Sequence, residues 1–567
     1  MPRCVLVFLF ALCVQAASSA RAADDVVLFH AKIFTGAPEH PYADAMAIRD
    51  DKIVAVGNLG DVSKTVASSA KFIDLKGDFL MPGLIDSHCH AVGGGLLLIS
   101  AVVGEDVRSV DQLAAFAAEA KKSGRGMHGD ILIVSGVPLA FWSKNKELSE
   151  LFNTEPYADQ PVLLEGMDHH TAWANRALLK RAGIDKKMIR SLDSVGRGYY
   201  GYSPDFEPNG FLVDVGSDKA RTVVPKPTEE QMLAAGRAAV QYMHEQGITA
   251  WLDAAASKEI LSTYRDLADR GELNSHVVAL PVIDFKNGNP EQQLAATLVW
   301  REEFQRVPDV RVVGIKVFAD GVLEYPSQTA VLSKPYRTTG KNGELLFDPA
   351  EFAKIAIAAD KHGLLVHVHA IGDGAVTETL NVFEAVRRAN GNSGLPDTIT
   401  HLQLVRPEDI PRFHELGVIA SFQLYWASAE TDTIELVKPY IDPALYQWQY
   451  PARSILDAGG VIAGASDWPV STANPFRAIY QAETRKGPEG VLDASQRVPR
   501  EAMLYAYTRN AALALAEQDR IGSLATGKQA DFVVLDRDVL TVSAEEARDT
   551  KVLWTVEGGK TVYGSQP

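Results

Sequence analysis

His88-Cys-His90 sets two imidazoles two residues apart, closing the run Met81-Pro-Gly-Leu-Ile-Asp-Ser-His-Cys-His90. On a strand, side chains at i and i+2 share a face, so both rings can reach one ion at the strand's C-terminal end. Imidazole suits zinc and similar first-row divalent metals. Further apolar runs end in polar groups of the same kind: Gly314-Ile-Lys316-Val-Phe-Ala-Asp320, Leu365-Val-His367-Val-His369-Ala-Ile-Gly-Asp373, Thr398-Ile-Thr-His401 and Gly464-Ala-Ser-Asp467-Trp-Pro. A lone lysine inside an apolar strand carries a large desolvation cost. Lys316 therefore calls for a compensating group, and a salt bridge to Asp320 or Asp467 is one answer. His367 shares a face with His369 but lies deeper, where packing is its expected role. Polar side chains recurring at five strand ends point to one convergent site.

The elements that must position these groups alternate short apolar strands with helical stretches, as βα units do. The pattern predicts strands over Gly83–His88, Ile248–Asp253, His276–Ile283, Val312–Phe318, Leu364–His369, Thr398–His401, Val418–Phe422 and Val461–Asp467. Eight such strands fit an α/β fold of the (β/α)8, or TIM, barrel type over 82–515, whose active site lies at the strand C-termini. The stretch between the first two strands is far longer than a βα connection needs, which predicts a large inserted subdomain at about 92–228. Short strands and turns fill both chain ends, at 23–81 and 516–567. They predict a composite β-sandwich domain formed by the two ends.

The 567 residues are 46% hydrophobic and 23% charged, an ordinary globular composition with room for more than one domain. Lys plus Arg number 56 against 72 Asp plus Glu, a net charge of −16. That balance argues against a nucleic-acid partner, which would call for a basic face. Residues 1–22 read as an export signal: Arg3, an apolar stretch from Cys4 to Val14, and the Ala20-Arg-Ala22 cleavage pattern. The expectation is a periplasmic or secreted protein with no integral membrane segment after cleavage. Cys4 and Cys13 would leave with the signal, so Cys89 remains, a small thiol turned away from the two histidines.

The residues also carry a family resemblance. Pro82-Gly-Leu-Ile-Asp-Ser-His-Cys-His90, Lys316-Val-Phe-Ala-Asp-Gly321, His369-Ala-Ile-Gly-Asp373, His401 and Gly464-Ala-Ser-Asp-Trp-Pro-Val470 resemble the amidohydrolase superfamily. His170-Thr-Ala-Trp-Ala-Asn175 and Ile521-Gly-Ser-Leu-Ala-Thr-Gly-Lys-Gln-Ala-Asp531 match as well, over nearly the whole chain. Within it, the chain resembles the YtcJ-like branch of N-acyl amide and N-substituted formamide hydrolases.

The resemblance implies that His88 and His90 ligate one metal together with Asp467. It implies that His369 and His401 ligate a second, and that Lys316, carboxylated to a carbamate, bridges the two. Zinc, one ion or two, is the default for such a donor set, with other divalent metals open. Asp467 would be the general base that passes a proton to the leaving amine. His170 would bind the substrate or its developing oxyanion, or else make a hydrogen bond within the insertion. Asp320 and Asp373 either touch substrate or shape loops. Trp142, Trp173, Tyr425, Trp426 and Trp468 line the mouth or pack the core.

After Gly321 the sequence Val322-Leu-Glu-Tyr-Pro326 departs from the family's small residues, which bears on substrate choice. The expected function is metal-dependent hydrolysis of an amide C–N bond in a small N-acyl or N-formyl amine. Ester, lactone or cyclic-amide hydrolysis on the same site is the alternative, and a non-catalytic binding or regulatory protein is a second. The partner is a small-molecule substrate, and the sequence leaves a homo-oligomer open.

Overall fold

The computed structural model describes residues 25–104, 107–166, 171–325 and 327–566. The expected export segment and His170 lie outside the described residues.

Eight parallel strands follow the predicted order. They are β1 (Leu84–Cys89), β2 (Ile248–Asp253), β3 (His276–Ala279), β4 (Gly314–Phe318), β5 (Leu365–Ala370), β6 (Thr398–His401), β7 (Ile419–Phe422) and β8 (Ile462–Gly464). Their ladders form two parallel sheets rather than one continuous closed ladder. One runs β1-β2-β3 and ends in the short strand Val310–Arg311, and the other runs β4 through β8 in sequence order.

The two sheets touch at both edges. Lys316 N donates to Pro281 O and Ile283 N to Lys316 O, each at 2.8 Å. At the other edge Ser87 Oγ donates to Gly464 O at 2.9 Å. Asp467 N donates to His88 O and His90 N to Trp468 O, each at 2.8 Å.

Parallel strands covered on both faces read as near-continuous apolar runs, and here the alternation is one of role. Ile315, Val317, Val366, Val368, Ile399, Ala420 and Phe422 join the main core, with Phe352 and Phe383 of the covering helices. The alternate face of the same strands carries Lys316, His367, His369, Thr398, Thr400 and Ser421. Side chains two apart thus separate packing from chemistry.

Among the described residues, two larger sheets lie outside these strands, besides a small hairpin at 486–491. Strands of the N-terminal stretch (26–82) and of the C-terminal stretch (532–564) share one eight-stranded mixed sheet, joined where Phe532–Leu535 runs antiparallel to Phe79–Pro82. A separate six-stranded sheet lies between β1 and β2 in sequence, over residues 127–213. Among the described residues no helix is long and apolar enough to cross a membrane.

Candidate metal centre

β1 delivers His88 at its end and His90 just beyond it, the cap of the helix Ala91–Ile99. His88 Nε2 lies 3.3 Å and His90 Nε2 3.2 Å from the same oxygen, Asp467 Oδ1. From the end of β6, His401 joins them. His88, His401 and Asp467 each offer a ligand atom within 4.8 Å of the others, and all three are buried. The His369 ring follows, its centroid 4.4 Å from that of His401. His401 and Asp467 hold φ of 75° and 56°, left-handed values that non-glycine residues rarely adopt. Such strain concentrates where a site over-determines its geometry.

The protonation states suit a cation. Burial lowers His88 and His401 well below the usual imidazole range and His369 to about 4, with the positive Lys316 and neighbouring imidazoles adding to it. These rings are neutral, the form that binds metal. Burial pushes Asp467 up, yet the His90 contact and the charge of Lys316 hold the carboxylate below its ordinary value.

Asp467 Oδ1, Lys316 Nζ and His367 Nδ1 are among the buried atoms that complete no hydrogen bond. Lys316 is fully buried, 4.8 Å from the centre of the Phe318 ring. Burial draws its amine down to about 7, against the pull of Asp467. Unpaired buried polar groups of this kind carry a cost; a divalent cation fits what the Asp467 oxygen offers, whereas the Lys316 amine fits one only after losing its charge. Neither candidate salt bridge to Lys316 forms among the described residues.

Several residues hold this arrangement in place. Asp86 accepts from His88 N at 3.1 Å, Ser466 N at 3.0 Å and Ser466 Oγ at 2.5 Å, tying the ends of β1 and β8 together. Gln423 Oε1 lies 2.9 Å from His401 Nδ1, and Gln423 Nε2 donates to Thr400 Oγ1. His367 does more than pack: its Nε2 is 2.7 Å from His88 Nδ1. Sequence reasoning passed over Asp86, Ser466 and Gln423, although a buried Gln directly after an apolar strand is a usable signal.

The remaining expected site residues are placed as follows. His369 Nε2 is 3.0 Å from Gly321 O and 3.6 Å from Asp320 Oδ1. Asp320 accepts from the backbone N–H groups of Val331, Ile371 and Gly372, so its carboxylate ties these loops together. Asp373 likewise accepts from Ser333 N. Trp426 stacks on His401, centroids 5.8 Å apart. Trp468 stacks on Tyr242 at 4.7 Å and lies against Gly94, where a Cβ would meet its ring at 2.5 Å. Trp173 is not brought to this cluster. It is buried in the core of the six-stranded sheet, donating from Nε1 to Asn145 Oδ1, because an apolar ring fills that core.

Comparison with known proteins follows the same lines. The model of the amidohydrolase family matches residues 71–563. The chain is 29% identical over 560 residues to Protein LONG AFTER FAR-RED 3 of Arabidopsis thaliana, covering 95% of this chain and 91% of that one. It is 26% identical over 551 residues to the putative amidohydrolase YtcJ of Bacillus subtilis, covering 94% and 98%. To the N-substituted formamide deformylase of Arthrobacter pascens it is 23% identical over 565 residues, covering 95% and 98%. Among solved structures, an uncharacterized metal-dependent hydrolase from Pyrococcus furiosus superposes with a TM-score of 0.72 at 24% identity. That match covers 91% of this chain and 100% of the other.

Proposed function

Because the chain belongs to the amidohydrolase family, we propose that it cleaves the C–N bond of a small N-acyl or N-formyl amine. It is a metal-dependent hydrolase of the amidohydrolase type. The N-formyl choice draws its support from the deformylase relative. We read the two parallel sheets as one (β/α)8 barrel over 82–515 with an inserted subdomain at about 92–228, a β-sandwich from 23–81 and 516–567, and residues 1–22 as an export signal.

His88, His90, His369, His401 and Asp467 would hold zinc, as one ion or two. When bound, the metal polarises the scissile carbonyl and makes water a better nucleophile near neutral pH. Lys316 is assigned as a carbamate: its amine, without a hydrogen-bond partner and drawn to about 7, is partly neutral and can add carbon dioxide with loss of a proton. That reaction turns a buried cation into an oxygen donor. Asp467 is assigned the proton transfer, taking one from the attacking water and returning it to the departing nitrogen, which an amide requires. Trp426 and Trp468 would wall the pocket, and His170 would meet the substrate.

One observation carries the reading: neutral buried His88 and His401 converge with the ionised Asp467 within 4.8 Å, beside a lysine amine with no partner. The test is amine release from a panel of N-acyl and N-formyl amines by zinc-loaded protein, beside Asp467→Asn. Release that disappears in the variant supports an amide hydrolase. Full activity in Asp467→Asn, or no release by protein shown to hold zinc, refutes it.

A further inference from the structure

We propose that His367 is a positioning residue for the metal centre, fixing His88 in the tautomer and orientation that present Nε2 to the ion. The inference rests on the metal-centre reading above and adds a residue to it. His367 sits one layer below His369 on the same face of β5, its Cα in register with Lys316 on β4 and Thr398 on β6. Its Nε2 meets His88 Nδ1 at 2.7 Å, and the rings lie nearly parallel, with centroids 4.9 Å apart and planes 27° apart. Both side chains are buried, so water does not compete for this contact.

The hydrogen-bond inventory of imidazole makes the consequence specific. A neutral ring carries one N–H and one lone pair. His88 can offer a lone pair from Nε2, the atom beside Asp467, when its own proton sits on Nδ1. Nδ1–H then donates to His367 Nε2, which must be the bare nitrogen of that ring. The proton of His367 is thereby confined to its Nδ1, a buried atom with no hydrogen-bond partner.

In the reverse arrangement His367 Nε2–H donates to His88 Nδ1, and the proton of His88 moves to Nε2, where it occupies the ligand position. The pair is a two-state element, and a cation selects the first state. Ligating histidines ordinarily lean on a carboxylate, a carbonyl or water, and such partners set ligand affinity. An imidazole in that role orients the ring without adding negative charge beneath Lys316.

The experiment compares metal retention in the zinc-loaded parent, His367→Leu and His367→Gln, by chelator competition with metal content as the readout. Visible spectra of the cobalt-substituted forms and thermal melts of the metal-free forms accompany it. Leucine keeps bulk but accepts no hydrogen bond, whereas the glutamine Oε1 can accept near the position of Nε2. The expected result is metal held about 10–100-fold more weakly in His367→Leu. In His367→Gln retention recovers to within a few-fold, and the cobalt spectrum matches the parent.

Equal retention in parent and His367→Leu would reduce His367 to packing and overturn the proposal. Equal losses in both variants, with altered cobalt spectra and unchanged metal-free melts, would make His367 itself a ligand and overturn it too. A parent that takes up no zinc would sink the metal-centre reading and this inference with it, a result distinct from either.

Discussion

His276→Gln tests how the strands that carry the site are fastened to the sheet built from the chain ends. His276 opens β3, and both ring nitrogens face carboxylates. Nδ1 is 3.1 Å from Asp309 Oδ1, and Nε2 is 2.9 Å from Asp531 Oδ2 and 3.4 Å from Glu557 Oε1. Asp531 directly precedes the strand Phe532–Leu535 and Glu557 ends the strand Val552–Glu557, so this contact joins the parallel sheet to the composite one.

Burial alone would lower His276, but Asp531, Asp309 and Glu557 together raise it to about 10 from 6.5. A raised histidine contributes stability that is fully present below 6.5 and is lost as pH climbs through about 10. That difference is worth at most about 5 kcal/mol, in line with the ~3–5 kcal/mol cost of breaking a buried ion pair from one side. Glu557, held above its usual range by burial and by Asp531, acts in the same direction. The folded protein keeps a proton there that the unfolded chain has released, so rising pH lowers stability.

The assay is the melting temperature of parent and His276→Gln from pH 6 to 10.5 at fixed ionic strength, reading the difference between the two. The variant should melt well below the parent at pH 6, and the gap should narrow steadily towards pH 10 as the parent's imidazolium loses its proton. A gap independent of pH would refute a charged His276, and no gap at pH 6 would refute its role as a fastening.

Three other outcomes are expected. Lys316→Met should raise the melting temperature of the metal-free protein, since it removes a fully buried amine without a hydrogen bond, while the same variant supplied with zinc should hold less of it than the parent. Asp86→Ala strands three donors, His88 N, Ser466 N and Ser466 Oγ, each worth about 1–3 kcal/mol when left buried and unpaired. A lower melting temperature and substoichiometric zinc should appear together in that variant. Gly94→Ala puts a Cβ 2.5 Å from the Trp468 ring, so the indole must shift; kcat/KM should fall with zinc content unchanged.

The strands were legible because each is a short apolar run buried on both faces, and β2 falls at its predicted bounds, Ile248–Asp253. The last strand was read too long. Its ladder stops at Gly464, and Asp467 sits beyond it on a left-handed residue that no local propensity announces.

Contacts across the interior were not legible at all. His88 and His367 are 279 residues apart in sequence, and nothing local distinguishes a histidine that braces a ligand from one that packs. Gln423 and Asp86 escaped notice for the same reason: Gln423 pairs with His401 and Thr400 of the neighbouring strand, and Asp86 with Ser466, which is 380 residues away in sequence. Trp173 shows the converse, since its motif places it beside a candidate substrate residue while its ring fills a separate core.

What the sequence does reveal is the cost. Lysine, histidines and carboxylate in strands that could have been wholly apolar are a standing desolvation penalty. The structure leaves Asp467 Oδ1 without a hydrogen bond between His88 and His90, so part of that penalty sits at the position where a cation would relieve it. Packing alone gives no reason to set a carboxylate oxygen against two imidazoles there.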